Sequence, residues 1–410
     1  MAKRAFTNAR LVLPGGIVTG TLLVDGECIT SVHTGAAAIP PDDYELVDCG
    51  GRYLAPGLID IHVHGGGGFD LMTDDIEQVR GYARWIATRG ITSFLVSTCG
   101  RDHAEITRRL RAIAPVVEPR PLAPRGPHPL TPSPPGGEGG SFGGAARVLG
   151  FHLEGPYINP VRKGAFPPPW LRAASADEYR ELFEASGGTI RQVTLAPELP
   201  GADDLVRAVV ASGAVAAIGH TDATYDEAMR AIDLGATHVT HCFNAMRPFG
   251  HRDPGVLGAV MTSDALTAEL IGDGAHVDYA AARVLVRAKG CERIVLITDG
   301  MPMAGTPDGA GEWEGQAIRV DGGKAVRVSD GTIIGGVITL DQTVRNAVLH
   351  MDVALHDAVA MASTNAARAL GLGDTYGVLA SGAAADFVLL DDALSVTETW
   401  VAGEFVVCSR

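Results

Sequence analysis

The sequence has no long apolar run and no excess of positive charge, and both absences exclude classes of protein. It contains no stretch of about 18 apolar residues, so we find no candidate transmembrane helix. Lys and Arg total 33 against 48 Asp and Glu, a net charge of -15. That balance argues against a general nucleic-acid binder and against binding to an anionic membrane surface. We therefore expect neither nucleic acid nor membrane as a partner.

The sequence also lacks a Cys-x-x-Cys pair and a secretion signal over its first ten residues. Its six cysteines are scattered, which favours buried thiols over disulfides and a reducing cytoplasm as the location. They are Cys28, Cys49, Cys99, Cys242, Cys291 and Cys408.

Both ends of the chain carry short β-type runs separated by Gly and Pro turns. Neither end alone has enough strands to bury a sheet face. We therefore predict that residues 1–53 and 375–410 form one small β-sandwich domain. The predicted strands are Ala9–Leu13, Gly20–Val24, Cys28–Val32, Tyr44–Cys49, Ala385–Leu390, Glu398–Val401 and Glu404–Cys408.

Residues 54–374 alternate apolar β-type runs with helical segments, which is typical of a parallel α/β fold. Eight such units predict a (β/α)8 TIM-like barrel, with its chemistry where strands end and loops begin. The predicted strands are Leu54–His64, Ile91–Thr98, Val148–Glu154, Ile190–Pro197, Val215–Thr221, His238–Asn244, Thr267–Ile271 and Arg293–Thr298. The predicted helices are Asp75–Arg89, Asp102–Ile113, Ala176–Ala185, Ala202–Ser212, Thr224–Leu234 and Ala280–Lys289.

A segment at about 115–146, rich in Pro and Gly, interrupts this alternation between the second and third units. It has few apolar residues to anchor it, so we predict a disordered surface insert. A proline motif that binds a partner is the alternative.

Histidines and one glutamate occur at the ends of four predicted strands. His62 and His64 end the first strand and, two residues apart, project to the same face. A lone pair of this kind could equally be solvated or hydrogen-bonded. However, Glu154, His220 and His241 end three further strands, and a carboxylate in an apolar strand is costly unless paired, protonated or metal-bound. Together the five residues predict a metal site.

Two further polar residues follow the last predicted strands. Asp299 could be an ordinary turn or N-cap residue, but opposite a metal it could move a proton between water and leaving group. His276 could be a loop histidine, or it could polarise a substrate carbonyl. We predict the catalytic role for both Asp299 and His276.

The chain resembles the N-acetylglucosamine-6-phosphate deacetylase family of the amidohydrolase superfamily over nearly its whole length, apart from the Pro-rich insert. The resemblance implies a barrel with a small β domain. It also implies hydrolysis of the acetamide of N-acetyl-D-glucosamine 6-phosphate to D-glucosamine 6-phosphate and acetate. The motifs are PGLIDIHVHG at 56–65, HLEGPY at 152–157, LAPE at 195–198, GHTDA at 219–223, HCFNAM at 241–246, RDPG at 252–255, DGAHV at 273–277 and TDG at 298–300.

The resemblance implies roles for the site. Glu154, His220 and His241 match the principal metal ligands, and Asp299 matches the catalytic acid and base. The retained His-x-His pair favours a second position, so one or two divalent cations are expected, zinc first and iron, cobalt or manganese as alternatives. The implied substrate contacts are Ala165, Phe166, Asn244, the backbone of Ala245, Arg252, Asp273, His276, Ile333, Ile334 and Gly335.

Arg252 matches a phosphate-binding arginine that, in family dimers, reaches in from the neighbouring subunit, so a homodimer is expected. A guanidinium fork suits phosphate geometry and explains how an acidic protein could bind an anion.

The chain departs from the family pattern at two substrate contacts. Phe166 stands where the family usually has a histidine, and a phenyl ring cannot make that hydrogen bond. Ile333 and Ile334 are bulkier than the usual loop. A deacetylase for the galacto epimer or another N-acyl amino sugar, a D-aminoacylase or dihydroorotase, and a non-catalytic scaffold are the alternatives.

Overall fold

The computed structural model describes residues 2–35, 42–118 and 144–406. Most of the predicted Pro-rich insert, and Cys408, lie outside the described residues. The strands are β1 (Lys3–Leu13), β2 (Gly16–Asp25), β3 (Cys28–Thr34), β4 (Glu45–Asp48), β5 (Tyr53–Pro56), β6 (Leu58–Asp60), β7 (Gly65–Gly66), β8 (Phe69–Asp70), β9 (Ile91–Thr98), β10 (Arg147–Glu154), β11 (Ile190–Leu195), β12 (Val215–Ile218), β13 (His238–Val239), β14 (Thr267–Ile271), β15 (Ile294–Ile297), β16 (Gly309–Trp313), β17 (Gln316–Asp321), β18 (Lys324–Arg327), β19 (Phe387–Leu390), β20 (Val396–Val401) and β21 (Glu404–Val406).

The predicted helices are present, and short polar residues explain where several of them begin. Asp75, Asp102, Ser175 and Thr224 each precede a helix and accept a backbone N–H of its first turn. None of the described helices is long and apolar enough to cross a membrane. The helices are α1 (Ile76–Ala87), α2 (His103–Ile113), α3 (Ala176–Ala185), α4 (Ala202–Ala211), α5 (Tyr225–Asp233), α6 (Gly255–Thr262), α7 (Tyr279–Lys289), α8 (Leu340–His350), α9 (Leu355–Met361) and α10 (Thr364–Ala369).

Eight parallel strands form the barrel sheet in the order β6, β9, β10, β11, β12, β13, β14, β15. The two edge strands meet beyond their carboxyl ends, through a parallel bridge between Val63 and Gly300. The His64 amide donates to the Gly300 carbonyl at 2.7 Å, and the Asp299 amide donates to the His62 carbonyl at 2.9 Å. The predicted barrel is confirmed, and its closing seam carries three of the candidate site residues.

The predicted first barrel strand, Leu54–His64, is wrong as a single element. Its first part is β5, which pairs with β1 and β19 outside the barrel, whereas only β6 lies in the barrel sheet. The chain passes from one sheet to the other at Gly57. A Cβ there would lie 2.1 Å from Thr92 Oγ1, so glycine permits the close approach of the two segments.

The predicted sixth strand, His238–Asn244, is shorter than expected. β13 ends at Val239, because the backbone then turns into the left-handed region, with φ of 26° at His241, 79° at Phe243 and 49° at Ala245. The side chains that follow β13 are therefore presented by an irregular loop.

The two chain ends form one eight-stranded sheet in the order β21, β20, β19, β5, β1, β2, β3, with β4 also paired to β1. The antiparallel pairing of β19 with β5 joins the C-terminal strands to the N-terminal ones, as the prediction required. Phe6, Phe387 and Trp400 pack in its core, with ring centroids 4.7 Å apart for the first two. The exact domain boundaries stay a prediction.

A three-stranded sheet of β16, β17 and β18 follows the last barrel strand and was not predicted. Helices α6, α8, α9 and α10 were also missed. The sheet matters for the site because Trp313, at the end of β16, has its ring 5.9 Å from the ring of His64.

Candidate active site

Four histidines surround the carboxylate of Glu154, the last residue of β10. Glu154 Oε1 lies 3.1 Å from His220 Nε2 and 3.1 Å from His241 Nε2. The same oxygen is 3.3 Å from His62 Nε2, and Oε2 is 3.0 Å from His64 Nε2. All five residues are buried. The structure thus brings together the five residues that the sequence predicted as metal ligands.

Asp299 completes the cluster on the side of His62 and His64. Its Oδ1 lies 3.4 Å from Nε2 of each histidine. The donor atoms form two groups, in each of which they lie within 4.8 Å of one another, and Glu154 belongs to both. One group is His62, His64, Glu154 and Asp299, and the other is Glu154, His220 and His241.

Four residues of the cluster lie two positions beyond the end of a strand: His62, His220, His241 and Asp299. β6 ends at Asp60, β12 at Ile218, β13 at Val239 and β15 at Ile297. In the last three cases the residue takes a positive φ, of 48° at His220, 26° at His241 and 47° at Asp299. Such backbone is unfavourable for residues other than glycine and is found preferentially at functional sites. The common offset explains why side chains far apart in sequence meet at one rim.

Contacts on the far side of two imidazoles fix which nitrogen faces the cluster. His62 Nδ1 lies 2.9 Å from Glu269 Oε2, and His220 Nδ1 lies 2.9 Å from the carbonyl oxygen of Arg162. Because those partners can only accept, each Nδ1 carries the proton, and a neutral ring presents a bare lone pair at Nε2.

These lone pairs point at the oxygens of Glu154, and His220 and His241 bring their Nε2 atoms within 3.0 Å of each other. Within the described residues His62 Nε2, although buried, has no hydrogen-bond partner. A cation placed between them would satisfy the lone pairs of His62 and His220 that face the carboxylate. Imidazole nitrogens and carboxylate oxygens are the ligands that divalent zinc and similar ions use, so this donor set fits a divalent metal.

In the cluster, neighbouring groups of opposite charge shift the pKa values against the effect of burial. Burial alone would raise the pKa of Glu154, but His62, His220 and His241 hold it well below its usual range. Burial likewise opposes charge on His64, yet Asp299 and Glu154 raise its pKa to about 9. The pKa of Asp299 stays below its usual value despite burial, because of His62 and His64. The site thus keeps its carboxylates ionised and attracts positive charge.

His276 and Asp273 form a pair beside this cluster. Asp273 Oδ2 lies 2.6 Å from His276 Nδ1, while Asp273 Oδ1 accepts the backbone N–H groups of Ala275 and His276. Burial lowers the pKa of His276, but Asp273 and then Asp299 raise it above its usual value. The imidazole is therefore fixed in orientation and lies within electrostatic reach of Asp299.

Predicted substrate contacts on two loops border the histidines. The ring of Phe166 lies edge-to-face against His220, with centroids 5.1 Å apart, and the Ala165 carbonyl accepts from Arg327. Ile334 is buried in a cluster with Ala165 and with Ala325 of β18, and Ile333 is bridged to Val326 of the same strand.

Gly335 has a φ of 82°. The next residue, Gly336, donates its N–H to the carbonyl of Asp299 at 2.7 Å. The loop 333–335 is thus attached directly to the backbone of the proposed acid and base.

The segment after His241 holds Asn244 and Ala245. The Asn244 amide group lies 3.3 Å from the carbonyl of His241, and the Ala245 carbonyl accepts from the amide of Thr221.

Arg252 differs from these two residues in its surroundings. It is exposed on the loop before α6, and no ion pair joins it to another residue in the described part of the chain. Within the described residues no hydrogen bond or ion pair joins Arg252 to the cluster.

Several residues around the site were not singled out from the sequence. Glu269 could have been found, because it is an acidic residue in the apolar strand β14 and the cost of burial that pointed to Glu154 applies to it equally. The histidines His152 and His238 and the amide of Gln192 lie inside strands and gave no such signal. Trp313 lies in the sheet that the sequence analysis missed.

Comparison with known proteins matches residues 53–406 to the amidohydrolase family. The N-acetylglucosamine-6-phosphate deacetylase of Bos taurus is 37% identical over 414 residues, covering 98% of this chain and 95% of that protein. The chain belongs to the amidohydrolase family, and within it to the N-acetylglucosamine-6-phosphate deacetylases.

Two more relatives are informative. The N-acetylgalactosamine-6-phosphate deacetylase of Escherichia coli O157:H7 is 36% identical over 90% of this chain and 91% of that protein. The structure of a mutant N-acetyl-D-glucosamine-6-phosphate deacetylase from Mycobacterium smegmatis, in complex with N-acetyl-D-glucosamine-6-phosphate, superimposes with a TM-score of 0.87 at 33% identity, covering 99% and 100% of the two chains. This amidohydrolase is therefore a metal-dependent hydrolase of the deacetylase type, with a barrel rim able to hold the metal.

Proposed function

We propose that this chain hydrolyses the acetamide of N-acetyl-D-glucosamine 6-phosphate to D-glucosamine 6-phosphate and acetate. The observation that carries the proposal is the convergence of four imidazole nitrogens and the Asp299 carboxylate on Glu154. The similarity over nearly the whole chain to deacetylases of this name supports the substrate class.

In this proposal Glu154, His220 and His241 would hold one divalent cation, zinc in the first place. His62 and His64 would hold a second, and Glu154 belongs to both groups of donor residues. A cation bound there would acidify a coordinated water and polarise the acetamide carbonyl.

The chain's own groups then move the proton and orient the amide. Asp299 Oδ1 accepts a proton from the attacking water and returns it to the amide nitrogen as the C–N bond breaks, so the amine leaves neutral. His276, held at Nδ1 by Asp273, donates to the carbonyl oxygen from Nε2–H of the protonated ring, a form that its raised pKa favours. The depressed pKa of Asp299 keeps it ready to accept the proton.

We assign the phosphate to Asn244, the backbone N–H of Ala245, and Arg252 of the second subunit in a homodimer. The exposure of Arg252 supports this assignment, because a guanidinium without an ion-pair partner in the described chain is available to a neighbouring molecule. Ala165, Phe166, Ile333, Ile334 and Gly335 complete the proposed sugar pocket.

A deacetylase for the galacto epimer is the second candidate. The relative named for the galacto substrate is 36% identical, against 37% for the one named for the gluco substrate, so overall identity does not separate them. Phe166 also removes a hydrogen bond that the usual histidine makes. A D-aminoacylase or dihydroorotase is disfavoured, since those enzymes usually carry a bridging carboxylated lysine where this chain has Glu154.

The deciding experiment is an acetate-release assay on the purified chain, after metal analysis. The panel comprises N-acetylglucosamine and N-acetylgalactosamine, each with and without the 6-phosphate. We expect the highest kcat/KM for N-acetylglucosamine 6-phosphate. A preference for the galacto epimer would transfer the assignment to it, and absence of acetate release from all four would overturn the deacetylase proposal.

The cytoplasmic location, the Pro-rich insert and the domain boundaries stay predictions from the sequence.

A further inference from the structure

Glu269 is a carboxylate buried in the barrel interior that none of the steps above uses. It lies in β14 and is fully inaccessible to solvent. Its Oε2 accepts from His62 Nδ1 at 2.9 Å and from the backbone N–H of His241 at 3.0 Å. Its Oε1 accepts from Gln192 Nε2 at 2.7 Å and lies 3.3 Å from His238 Nε2. One oxygen therefore contacts a residue from each of the two donor groups.

The two contacts differ in kind. At His241 the carboxylate holds a backbone amide, and any oxygen acceptor could do the same. At His62 it holds the imidazole itself, which keeps the proton on Nδ1 and aims the Nε2 lone pair at the cluster. The His62 position therefore depends on Glu269 more directly than the His241 position does.

The charge of Glu269 is a second reason why the His62 position depends on this residue. A pair of divalent cations brings more positive charge than Glu154 and Asp299 neutralise. Glu269 adds a negative charge one imidazole away from the position of His62 and His64, in a buried region where screening is weak.

We propose that Glu269 is a positioning residue that sets the affinity of the site for its second divalent cation. It acts through His62 and does not touch substrate. This inference rests on the proposed function in so far as that function assigns two cation positions.

The substitution Glu269→Gln isolates the charge from the packing. Gln192 Oε1 has no hydrogen-bond partner among the described residues, so a rotated Gln192 amide could accept from the new amide group. The new carbonyl oxygen could still accept from His62 and from the His241 amide. The variant should therefore fold and retain these contacts while losing the negative charge.

The experiment measures zinc content of the full-length chain equilibrated against buffers of graded free Zn2+, with Co2+ absorption spectra as a second readout. We expect two ions in the wild type. In Glu269→Gln the second ion should bind about 10- to 100-fold more weakly, the usual range for a lost outer-sphere partner, with the first ion unchanged. His62→Asn should lose the second ion altogether.

Glu118→Gln is the matched control. Glu118 is also a mostly buried carboxylate, but it pairs with Arg147 at the opposite end of β10 from Glu154. This variant should bind both ions like the wild type. If Glu269→Gln does not fold, Glu269→Asp replaces it. Aspartate keeps the charge but is one methylene shorter, and we expect a Co2+ spectrum in which the second-ion band is selectively weakened.

Unchanged binding of both ions in the Glu269 variants would overturn the inference, as would equal weakening of both. A wild type that binds one ion would overturn it together with the second cation position. A selective loss of the second ion in a protein that releases no acetate from the sugar panel would support the inference while the substrate proposal fails.

Discussion

The two halves of the metal cluster are supported in different ways. His220 and His241 follow neighbouring strands, β12 and β13, which are paired in the continuous sheet. His62, His64 and Asp299 instead lie at the seam where the first and last barrel strands meet, through the single bridge of Val63 and Gly300.

The contacts that orient the histidine rings also differ between the two halves. The ring of His220 is held by a backbone carbonyl, that of Arg162, whereas the ring of His62 is held by the side chain of Glu269. Nδ1 of His64 and Nδ1 of His241 both lack a hydrogen-bond partner within the described chain, so they do not distinguish the two halves. The position of His220 and His241 is built by the fold, through paired strands and a backbone carbonyl, whereas that of His62 and His64 depends more on one side chain, Glu269. We expect the second position to be the weaker and more easily lost.

The largest predicted effect falls on Asp299, which belongs to the seam but is needed for chemistry more than for metal binding. Asp299→Asn removes the proton acceptor while retaining an oxygen at nearly the same place. We expect kcat for acetate release to fall about 10²- to 10⁴-fold, the usual contribution of general acid and base catalysis. Metal content measured on the same preparation should stay at the wild-type level.

Ordinary activity in Asp299→Asn would show that another group moves the proton. Loss of metal alongside activity would instead make Asp299 a required ligand. The residues at the seam would then serve both metal binding and proton transfer.

The same contrast explains what could be predicted from the sequence. Residues that end or follow a strand, such as Glu154, His220 and Asp299, were recognisable because the carboxyl ends of parallel barrel strands share one rim. Their mutual contacts follow from that rule alone. Glu269 lies inside a strand, so the strand-end rule did not include it, although an acidic residue in an apolar strand was a readable signal; its contact with His62 appears only in the structure.

Other errors have separate physical causes. The passage from β5 to β6 lies at Pro56-Gly57, and this pair alone does not say that the segments on either side of it enter different sheets, which only the packing of Gly57 against Thr92 shows. α6 is almost uniformly apolar and buried, so it lacks the polar face that gives a helical period. The exposed strand β16 is rich in glycine and has little β propensity.

The same substitution in each half of the cluster compares the two metal positions directly. His220→Asn removes a ligand of the position built by the fold, and we expect metal affinity and activity to fall more than about 100-fold, beyond the range for outer-sphere changes. His62→Asn should remove one ion per subunit and leave measurable activity from the remaining one. Metal analysis and kcat for each variant provide the measurement.

If His62→Asn abolished activity while His220→Asn preserved it, the order of the two positions would be reversed. Equal loss in both variants would mean that the two ions bind as a unit through Glu154. Thermal unfolding of the metal-free variants serves as the control, because a general packing defect would lower the Tm even without metal.

The smallest predicted effect concerns a substrate contact beside the half built by the fold. Phe166 packs edge-to-face on His220 and cannot hydrogen-bond. Phe166→His restores the residue type usual in the family. A net hydrogen bond stabilises by about 0.5 to 1.5 kcal/mol, so KM for the preferred sugar phosphate should fall about 2- to 10-fold. Phe166→Leu is the control, since it keeps an apolar side chain and should leave KM near that of the wild type.

A histidine at this position could also bind the metal, so unchanged metal content is required before the fall in KM is assigned to the sugar. A KM that rises in Phe166→His but not in Phe166→Leu would mean that this pocket selects an apolar group, and the substrate would then differ from the proposed one at that contact.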